Sequence, residues 1–251
     1  TEKFIISRSL KKIFALNPKT GEQIWDFQLQ NINGSRGFTY HKSSNSVFVP
    51  YESGLIELNA DNGNFLSKIT LSKVTVPPII HKNKIYIATL ANGIFAFDLD
   101  TREKIWHLSI EKNEYYARIW SGFSFDNKSQ TLFAVTGSSG GVTNWWRNKP
   151  NNETSLIAVD INSGLIKWQF QHIIHDVWDL DLVGPPIILD VEINNNIKRA
   201  VSAFSKTGDI LYFNVEDGMP IFENSFSEIQ TIVSDVRKEN LSPFQKKFFK
   251  P

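Results

Sequence analysis

The chain has 251 residues, of which 41% are hydrophobic and 13% aromatic, so it is long and apolar enough to build a core. Its net charge of +1 argues against bulk binding to nucleic acid or to acidic membranes. It has no cysteine, which excludes disulfide bonds, zinc–thiolate sites and a cysteine nucleophile. No apolar run reaches the length of a membrane span.

Five segments share one pattern, a short strand, a polar turn that starts at Asp or Asn, and a second strand. They are ALNPKTGEQIW (15–25), ELNADNGNFLS (57–67), AFDLDTREKIW (96–106), AVDINSGLIKW (158–168) and YFNVEDGMPIF (212–222). Glycine is the seventh residue of four segments, and Arg102 replaces it in the third. Tryptophan closes three of them, at Trp25, Trp106 and Trp168, while Ser67 closes the second.

These repeats are typical of β-hairpins, because Asx and glycine tolerate the left-handed backbone of a tight turn. The first three segments start about 40 residues apart, the usual length of a four-stranded propeller blade. The sequence therefore predicts an all-β propeller of about five consecutive four-stranded sheets, with Trp25, Trp106 and Trp168 buried between them. The chain opens inside a blade and shows no closing strand, so residues 1–251 are predicted to form a single partial β-propeller domain.

Two polar motifs follow the fourth repeat. Residues 175–181 read His-Asp-Val-Trp-Asp-Leu-Asp, and residues 205–208 read Ser-Lys-Thr-Gly. They place a potential carboxylate base and a potential cation on successive segments of the repetitive β sequence.

With these motifs, the chain resembles the pyrroloquinoline quinone (PQQ) dehydrogenases, particularly the membrane-bound glucose dehydrogenase branch. The matching stretches are 35–41, 118–139, 151–191, 205–222 and 239–245. The resemblance implies a β-propeller of PQQ-type, quinoprotein-like repeats, with about five blades of an eight-bladed propeller in this chain.

The resemblance also implies roles for four residues. Asp179 matches the catalytic base and Lys206 the basic residue that hydrogen-bonds the quinone oxygens. Trp120 matches the tryptophan that stacks on the flat cofactor, and Arg36 an arginine near its carboxylates. These types suit an ortho-quinone with three carboxylates. Without the resemblance, Asp179 and Lys206 would be read as turn residues, Trp120 as a core side chain like Trp25, and Arg36 as a surface arginine.

Thr136, Gly137 and Ser138 match the family's Gly-Asn pair, whose Asn helps hold a calcium ion. The resemblance therefore implies that Thr136 and Gly137 contact the cofactor and that Ser138 and Asp179 are metal ligands. The ligand set is incomplete, because Ser138 replaces the Asn and the loop TLANG (89–93) carries no carboxylate.

Trp145 and Trp146 lie in the polar loop GGVTNWWRNKPNN. Adjacent side chains point to opposite sides of an extended chain, so both cannot be simple core residues. We expect one of them to line the mouth of a substrate pocket.

The resemblance implies a quinoprotein dehydrogenase that oxidises an alcohol or an aldose by hydride transfer to PQQ, with Asp179 as general base. We expect it in the periplasm, attached to the inner membrane through a segment outside this chain. Its electron acceptor would be a membrane quinone or a cytochrome, and no nucleic-acid partner is expected. The alternative is a non-catalytic PQQ-like propeller that serves as a scaffold or binding module.

Overall fold

The structure is a computed structural model that describes residues 3–29, 32, 36–112, 115–138, 153–173, 176 and 179–221. These residues contain strands and turns but no helix, so the all-β prediction is confirmed. It follows that none of the described residues form a helix long and apolar enough to span a membrane.

Antiparallel pairs of consecutive strands form five main sheets in chain order. Sheet 1 contains β1 (Ile5–Arg8), β2 (Lys12–Leu16) and β3 (Gln23–Gln28). Sheet 2 contains β4 (Thr39–His41), β5 (Ser46–Tyr51), β6 (Gly54–Asn59) and β7 (Phe65–Thr70). Sheet 3 contains β8 (Ile79–His81), β9 (Lys84–Thr89), β10 (Gly93–Asp98) and β11 (Lys104–Leu108).

A two-stranded ribbon, β12 (Glu111–Lys112) and β13 (Tyr115–Tyr116), precedes the remaining sheets. Sheet 4 contains β14 (Phe123–Asp126), β15 (Thr131–Val135), β16 (Ser155–Asp160) and β17 (Ile166–Gln171). Sheet 5 contains β18 (Leu182–Ile193), β19 (Asn196–Ser205) and β20 (Ile210–Asn214). Among the described residues, sheets 2, 3 and 4 have the predicted four strands and sheets 1 and 5 have three each. The blade number of the whole propeller stays a prediction.

The hydrophobic core lies between the sheets, in four clusters that each join two neighbours. One cluster joins sheets 1 and 2, and others join sheets 2 and 3, sheets 3 and 4, and sheets 4 and 5. The central strands are buried on both faces, as in β10 and β15. Sheets stacked in this way bury a continuous series of cores, which is how a repeat architecture gains its stability.

The predicted hairpins carry a β-bulge at the same repeat position. In sheets 1 to 4 the register shifts after the first residue of the repeat, at Ala15, Glu57, Ala96 and Ala158. The unshifted residue pairs directly with the repeat's last residue, as Ala15 does with Trp25. A bulge increases the local twist of the strands. The hairpins therefore present their final side chains in equivalent positions.

Each repeat tryptophan contacts the turn of the following sheet. The indole N–H groups of Trp25, Trp106 and Trp168 donate to the main-chain oxygens of Ala60, Ile161 and Val215 at 3.0, 3.1 and 3.0 Å. A Cβ atom built on the facing glycines would lie 2.5 to 2.6 Å from the indoles; these glycines are Gly63, Gly164 and Gly218. We call these the three indole–glycine contacts. Trp25 is buried between the sheets, as predicted, while Trp106 and Trp168 are only partly buried.

The contact between sheets 2 and 3 is ionic instead. Ser67 stands where the other repeats have tryptophan, and Arg102 stands in the facing glycine's place. The Arg102 guanidinium pairs with the buried carboxylate of Glu57 and donates to Ser67 Oγ at 3.3 Å. Ser67 Oγ in turn donates to Glu57 Oε2 at 2.6 Å. We call this the Glu57–Ser67–Arg102 contact. Arg102 keeps the backbone conformation of the glycine it replaces, with φ 63°.

Candidate active site

Lys206 lies in the tight turn between β19 and β20. The turn is closed by Ser205 N donating to Asp209 O at 3.1 Å and by Gly208 N donating to Ser205 O at 3.1 Å. Gly208 has φ +91°, a conformation that glycine adopts without steric cost. The turn projects the Lys206 side chain from the end of β19 toward the segment that precedes β18, where Lys206 N also donates to Asp181 O at 3.0 Å.

Two carboxylates receive the Lys206 ammonium. Nζ lies 2.8 Å from Asp179 Oδ2 and 3.0 Å from Asp181 Oδ2. Burial lowers the pKa of Lys206, but the hydrogen bonds to both carboxylates outweigh burial and the pKa is raised overall. Lys206 is therefore a stable cation at neutral pH.

Asp179 is the solvent-accessible member of this group, with 45% of its side chain exposed. Its backbone has φ 62°, in the left-handed region that non-glycine residues seldom occupy. The buried Asp176 holds this turn, because its Oδ1 accepts from Leu180 N at 3.0 Å and its Oδ2 from Thr154 Oγ1 at 2.9 Å. These contacts maintain the uncommon backbone conformation of Asp179.

The Asp181 side chain, unlike that of Asp179, is buried. Its Oδ1 accepts from the main-chain N–H of Ser138 at 2.6 Å. Burial raises the pKa of the Asp181 carboxyl, and the hydrogen bonds from Ser138 and Lys206 oppose this effect without cancelling it. Asp179 and Asp181 are two residues apart and share Lys206, so one exposed and one buried carboxylate belong to the same cluster.

Trp120 joins two cations to this cluster. The Arg36 guanidinium carbon lies 4.5 Å from the indole ring centroid, and Lys206 Nζ lies 5.5 Å from it. Both distances are within the range of a cation–π interaction. The buried Trp120 Nε1 has no hydrogen-bond partner among the described residues. Trp120 thus differs from Trp25, whose indole N–H is bonded within the stack of sheets.

Gly137 allows Trp120 and Asp181 to approach each other. A short antiparallel bridge pairs Arg118 with Gly137, through Gly137 N donating to Arg118 O at 2.8 Å. A Cβ atom at Gly137 would lie 2.5 Å from Trp120 Nε1 and 2.6 Å from Asp181 Oδ1. A side chain at this position would therefore separate the indole from the carboxylate.

The structure brings together Arg36, Trp120, Asp179 and Lys206, although they come from distant parts of the chain. Gly137 and Ser138 border the same cluster. The Thr136 side chain is fully buried and its Oγ1 accepts from Ser155 N at 3.0 Å within sheet 4, so its contact with a cofactor stays a prediction. Trp145 and Trp146 lie outside the described residues.

Asp181 and Asp176 are the residues that the sequence analysis did not single out. Asp181 is in the quoted motif, and its spacing of two from Asp179 is the signal that could have identified it, since alternate residues of an extended segment share a face. Nothing local in the sequence distinguishes Asp176, whose partner Thr154 belongs to another strand.

The described residues do not fit a calcium ion as well as they fit an anionic aromatic ligand. They contain no group of three or more His, Cys, Asp and Glu side chains placed to hold a metal. Both carboxylates of the cluster are engaged by Lys206, and Ser138 offers Asp181 its main-chain N–H. Calcium usually takes six to eight oxygen ligands. In contrast, Arg36, Lys206 and the indole of Trp120 suit a planar ligand with several carboxylates.

Comparison with known proteins places this arrangement in a family. The family model described as "PQQ: Glucose/ethanol/alcohol dehydrogenase, beta-propeller domain" matches residues 109–249, which is more than half of the chain. The chain therefore belongs to the family of PQQ-type β-propellers, as the sequence analysis inferred.

The chain is similar to the quinoprotein glucose dehydrogenase of Escherichia coli, with 24% identity in a gapped alignment of 276 positions that covers 83% of this chain and 34% of the relative. The chain thus spans about a third of that relative's length. Among solved structures, a europium-containing methanol dehydrogenase superposes with a TM-score of 0.75 and 17% identity, covering 87% of this chain and 48% of the other. The quinohemoprotein alcohol dehydrogenase of Comamonas testosteroni gives 0.74 and 21%, covering 87% and 41%. These likenesses show the fold.

Proposed function

We propose that the protein containing this chain is a PQQ-dependent dehydrogenase that oxidises an alcohol or an aldose, with Asp179 as general base. The convergence of Arg36, Trp120, Asp179 and Lys206 is the observation that carries the proposal. A non-catalytic scaffold would not need an exposed carboxylate, two cations and an indole in contact with one another. The relatives named above are dehydrogenases, which supports the same reaction class.

Three of these residues would hold PQQ. Trp120 offers a flat apolar surface, and Arg36 and Lys206 offer positive charge for carboxylate or quinone oxygens. Gly137 lets the indole of Trp120 lie against Asp181, since a side chain at this position would push the indole away. The chemistry that bound PQQ supplies is acceptance of a hydride from the substrate carbon.

Asp179 would take the proton of the substrate hydroxyl. Its Oδ2 is held by Lys206, while its Oδ1 has no hydrogen bond from the described residues. Lys206 keeps the Asp179 side chain oriented. Asp181 would neutralise part of the positive charge of Lys206 and hold the ammonium in the site. A base within reach of the proton it abstracts is the geometric requirement of this mechanism.

We further propose a periplasmic location and a membrane quinone or a cytochrome as electron acceptor, since these follow from the same family assignment.

The proposal is tested with the full-length protein. PQQ is titrated with and without calcium while its absorbance is followed, and a panel of alcohols and aldoses is then assayed with an artificial electron acceptor. We expect saturable binding of PQQ and turnover with part of the panel. Absence of PQQ binding at cofactor and calcium concentrations up to about millimolar, well above useful affinities, would decide for the scaffold or binding module.

A further inference from the structure

A second polar cluster is formed by the turn that carries Lys206 and by one histidine of the neighbouring sheet. It contains His172, which follows β17, and three residues of the turn, Ser205, Thr207 and Asp209. His172 has only 3% of its side chain exposed. None of these residues was expected to act in the site.

The three turn residues are bonded to one another. Ser205 Oγ donates to Asp209 Oδ2 at 3.2 Å, and Thr207 Oγ1 also contacts both of these side chains. The main-chain N–H groups of Thr207 and Asp209 donate to Ser205 Oγ at 3.2 and 3.3 Å. The Asp209 carboxylate therefore holds the side chains of Ser205 and Thr207 together. The Lys206 side chain projects from the same turn toward the site.

His172 connects this turn to a different sheet. Its main-chain N–H donates to Thr154 O at 2.9 Å, which fixes the residue at the edge of sheet 4. Its side-chain Nε2 lies 3.2 Å from Asp209 Oδ2 and 3.5 Å from Thr207 Oγ1 in sheet 5. The candidate site draws on both sheets, since Trp120 precedes sheet 4 and Lys206 belongs to sheet 5. The His172–Asp209 pair therefore bridges the two sheets beside the site.

The electrostatics favour a neutral imidazole in this bridge. Burial is the largest influence on the pKa of His172 and lowers it, while Asp209 and, more weakly, Asp176 act in the opposite direction. Because Asp209 Oδ2 is an acceptor, the neutral ring donates its Nε2–H to that oxygen. Asp209 Oδ2 also accepts from Ser205 and Thr207 of its own turn, so the loss of His172 would remove its donor from sheet 4.

We propose that His172 is a positioning residue for Lys206, acting through Asp209 and Thr207 to hold the 205–209 turn against sheet 4. This inference rests on the proposed function for its importance, but the geometry of Lys206 can be tested without cofactor. His172 contacts no reacting atom and is not a catalytic residue.

The test uses the full-length protein and the reactivity of Lys206 toward an amine-acylating reagent. Lys206 is compared with Lys12, which pairs with Asp26 at 3.0 Å and is equally exposed, as an internal reference measured by peptide mass spectrometry. His172→Leu should increase the Lys206-to-Lys12 modification ratio by roughly fivefold or more, since the turn loses its hydrogen bond to sheet 4. His172→Gln keeps a donor near Nε2 and should restore the ratio to within about twofold of the unmutated protein.

His107→Leu is the matched control, because His107 Nε2 is bonded to Asn92 O at 2.6 Å on an exposed part of sheet 3. It should leave the ratio unchanged. An unchanged ratio in His172→Leu, or an increase that His172→Gln fails to reverse, would overturn the proposal. If His172→Leu does not fold, Asp209→Asn replaces it and should raise the ratio in the same direction.

The dissociation constant for PQQ separates this inference from the proposed function. If the unmutated protein binds PQQ, His172→Leu should weaken binding by roughly the same factor as it raises the modification ratio. If the unmutated protein does not bind PQQ, the proposed function fails, while the modification ratio still decides whether His172 positions Lys206.

Discussion

Asp179 and Asp190 are similarly exposed carboxylates that each pair with a cation, but only Asp179 belongs to the site. Asp179 pairs with Lys206 at 2.8 Å and is 45% exposed, while Asp190 pairs with Arg199 at 3.0 Å and is 46% exposed. Asp179→Asn should lower dehydrogenase turnover by a factor of about 10² to 10⁴, because an amide cannot accept the substrate proton. PQQ binding should stay largely intact, as measured by titration of the cofactor absorbance.

Asp190→Asn is the control for this prediction and should leave turnover within about twofold, since surface ion pairs contribute little. Equal effects of the two substitutions would contradict the assignment of Asp179 as the base.

Lys206 is expected to act on binding as well as on turnover. Lys206→Ala should weaken PQQ binding about tenfold or more, because it removes a charge-assisted contact to the ligand. It should also lower turnover, since the Asp179 carboxylate loses the group that orients it. Lys12→Ala, which removes an equally exposed paired lysine, should change neither quantity. A Lys206→Ala protein with unaltered PQQ affinity would exclude the direct contact.

At the scale of the repeated element, the loss of stability on replacing a glycine should depend on whether an indole packs against it. Gly164 has φ +72° with Trp106 against it, while Gly184 has φ +75° and no neighbour within 4 Å of a built Cβ. Gly184→Ala should cost about 1 kcal/mol, the penalty of a left-handed alanine. Gly164→Ala should cost about 1–3 kcal/mol more, because the added methyl displaces the indole. Thermal unfolding of the two variants measures the difference, and equal losses would contradict it.

The Glu57–Ser67–Arg102 contact is expected to be interchangeable with an indole–glycine contact. Arg102→Gly alone should cost about 3–5 kcal/mol, because it leaves the buried Glu57 carboxylate without a cation. The triple replacement Glu57→Ala, Ser67→Trp and Arg102→Gly copies the neighbouring repeats and should come within about 1 kcal/mol of the unmutated protein. Calorimetric unfolding compares the variants, and a triple variant less stable than Arg102→Gly would refute the equivalence.

The repeats explain which parts of the fold and site could be predicted from sequence. Hairpin turns and tryptophan positions follow from local patterns, and the Asp179 and Lys206 motifs carry a family resemblance. The contact between Glu57 and Arg102 joins residues 45 positions apart, so its ionic character depended on packing that no local pattern records. For the same reason, the sequence did not predict the burial of Asp181 or the contact of His172 with Asp209. Both depend on how the sheets stack.

At the scale of the whole molecule, the buried His172 and the aspartates with lowered pKa values should produce two separate losses of stability in acid. The lowered pKa of His172 means that its contribution is fully present above its unfolded pKa of 6.5 and is lost as the pH falls through the lower folded value. Asp126 and Asp160 also have lowered pKa values, so their contributions are lost only below the unfolded value of 3.8.

Melting temperatures measured from about pH 8 to about pH 3 should show both losses. His172→Gln should reduce the first of them, because glutamine does not titrate. His81 also has a lowered pKa but is less buried, so His81→Gln should reduce the first loss by a smaller amount. A first loss that persists undiminished in His172→Gln would mean that another group is responsible.

The indole–glycine contacts also bear on the order in which the chain folds during synthesis. Each indole reaches a carbonyl only 35, 55 or 47 residues further along, so every contact joins sheets that leave the ribosome one after the other. Each new sheet can pack on its predecessor without waiting for distant segments. Arg36, Trp120 and Lys206 instead meet across most of the chain. A nascent chain that ends before Lys206 would therefore have stacked sheets but no complete site.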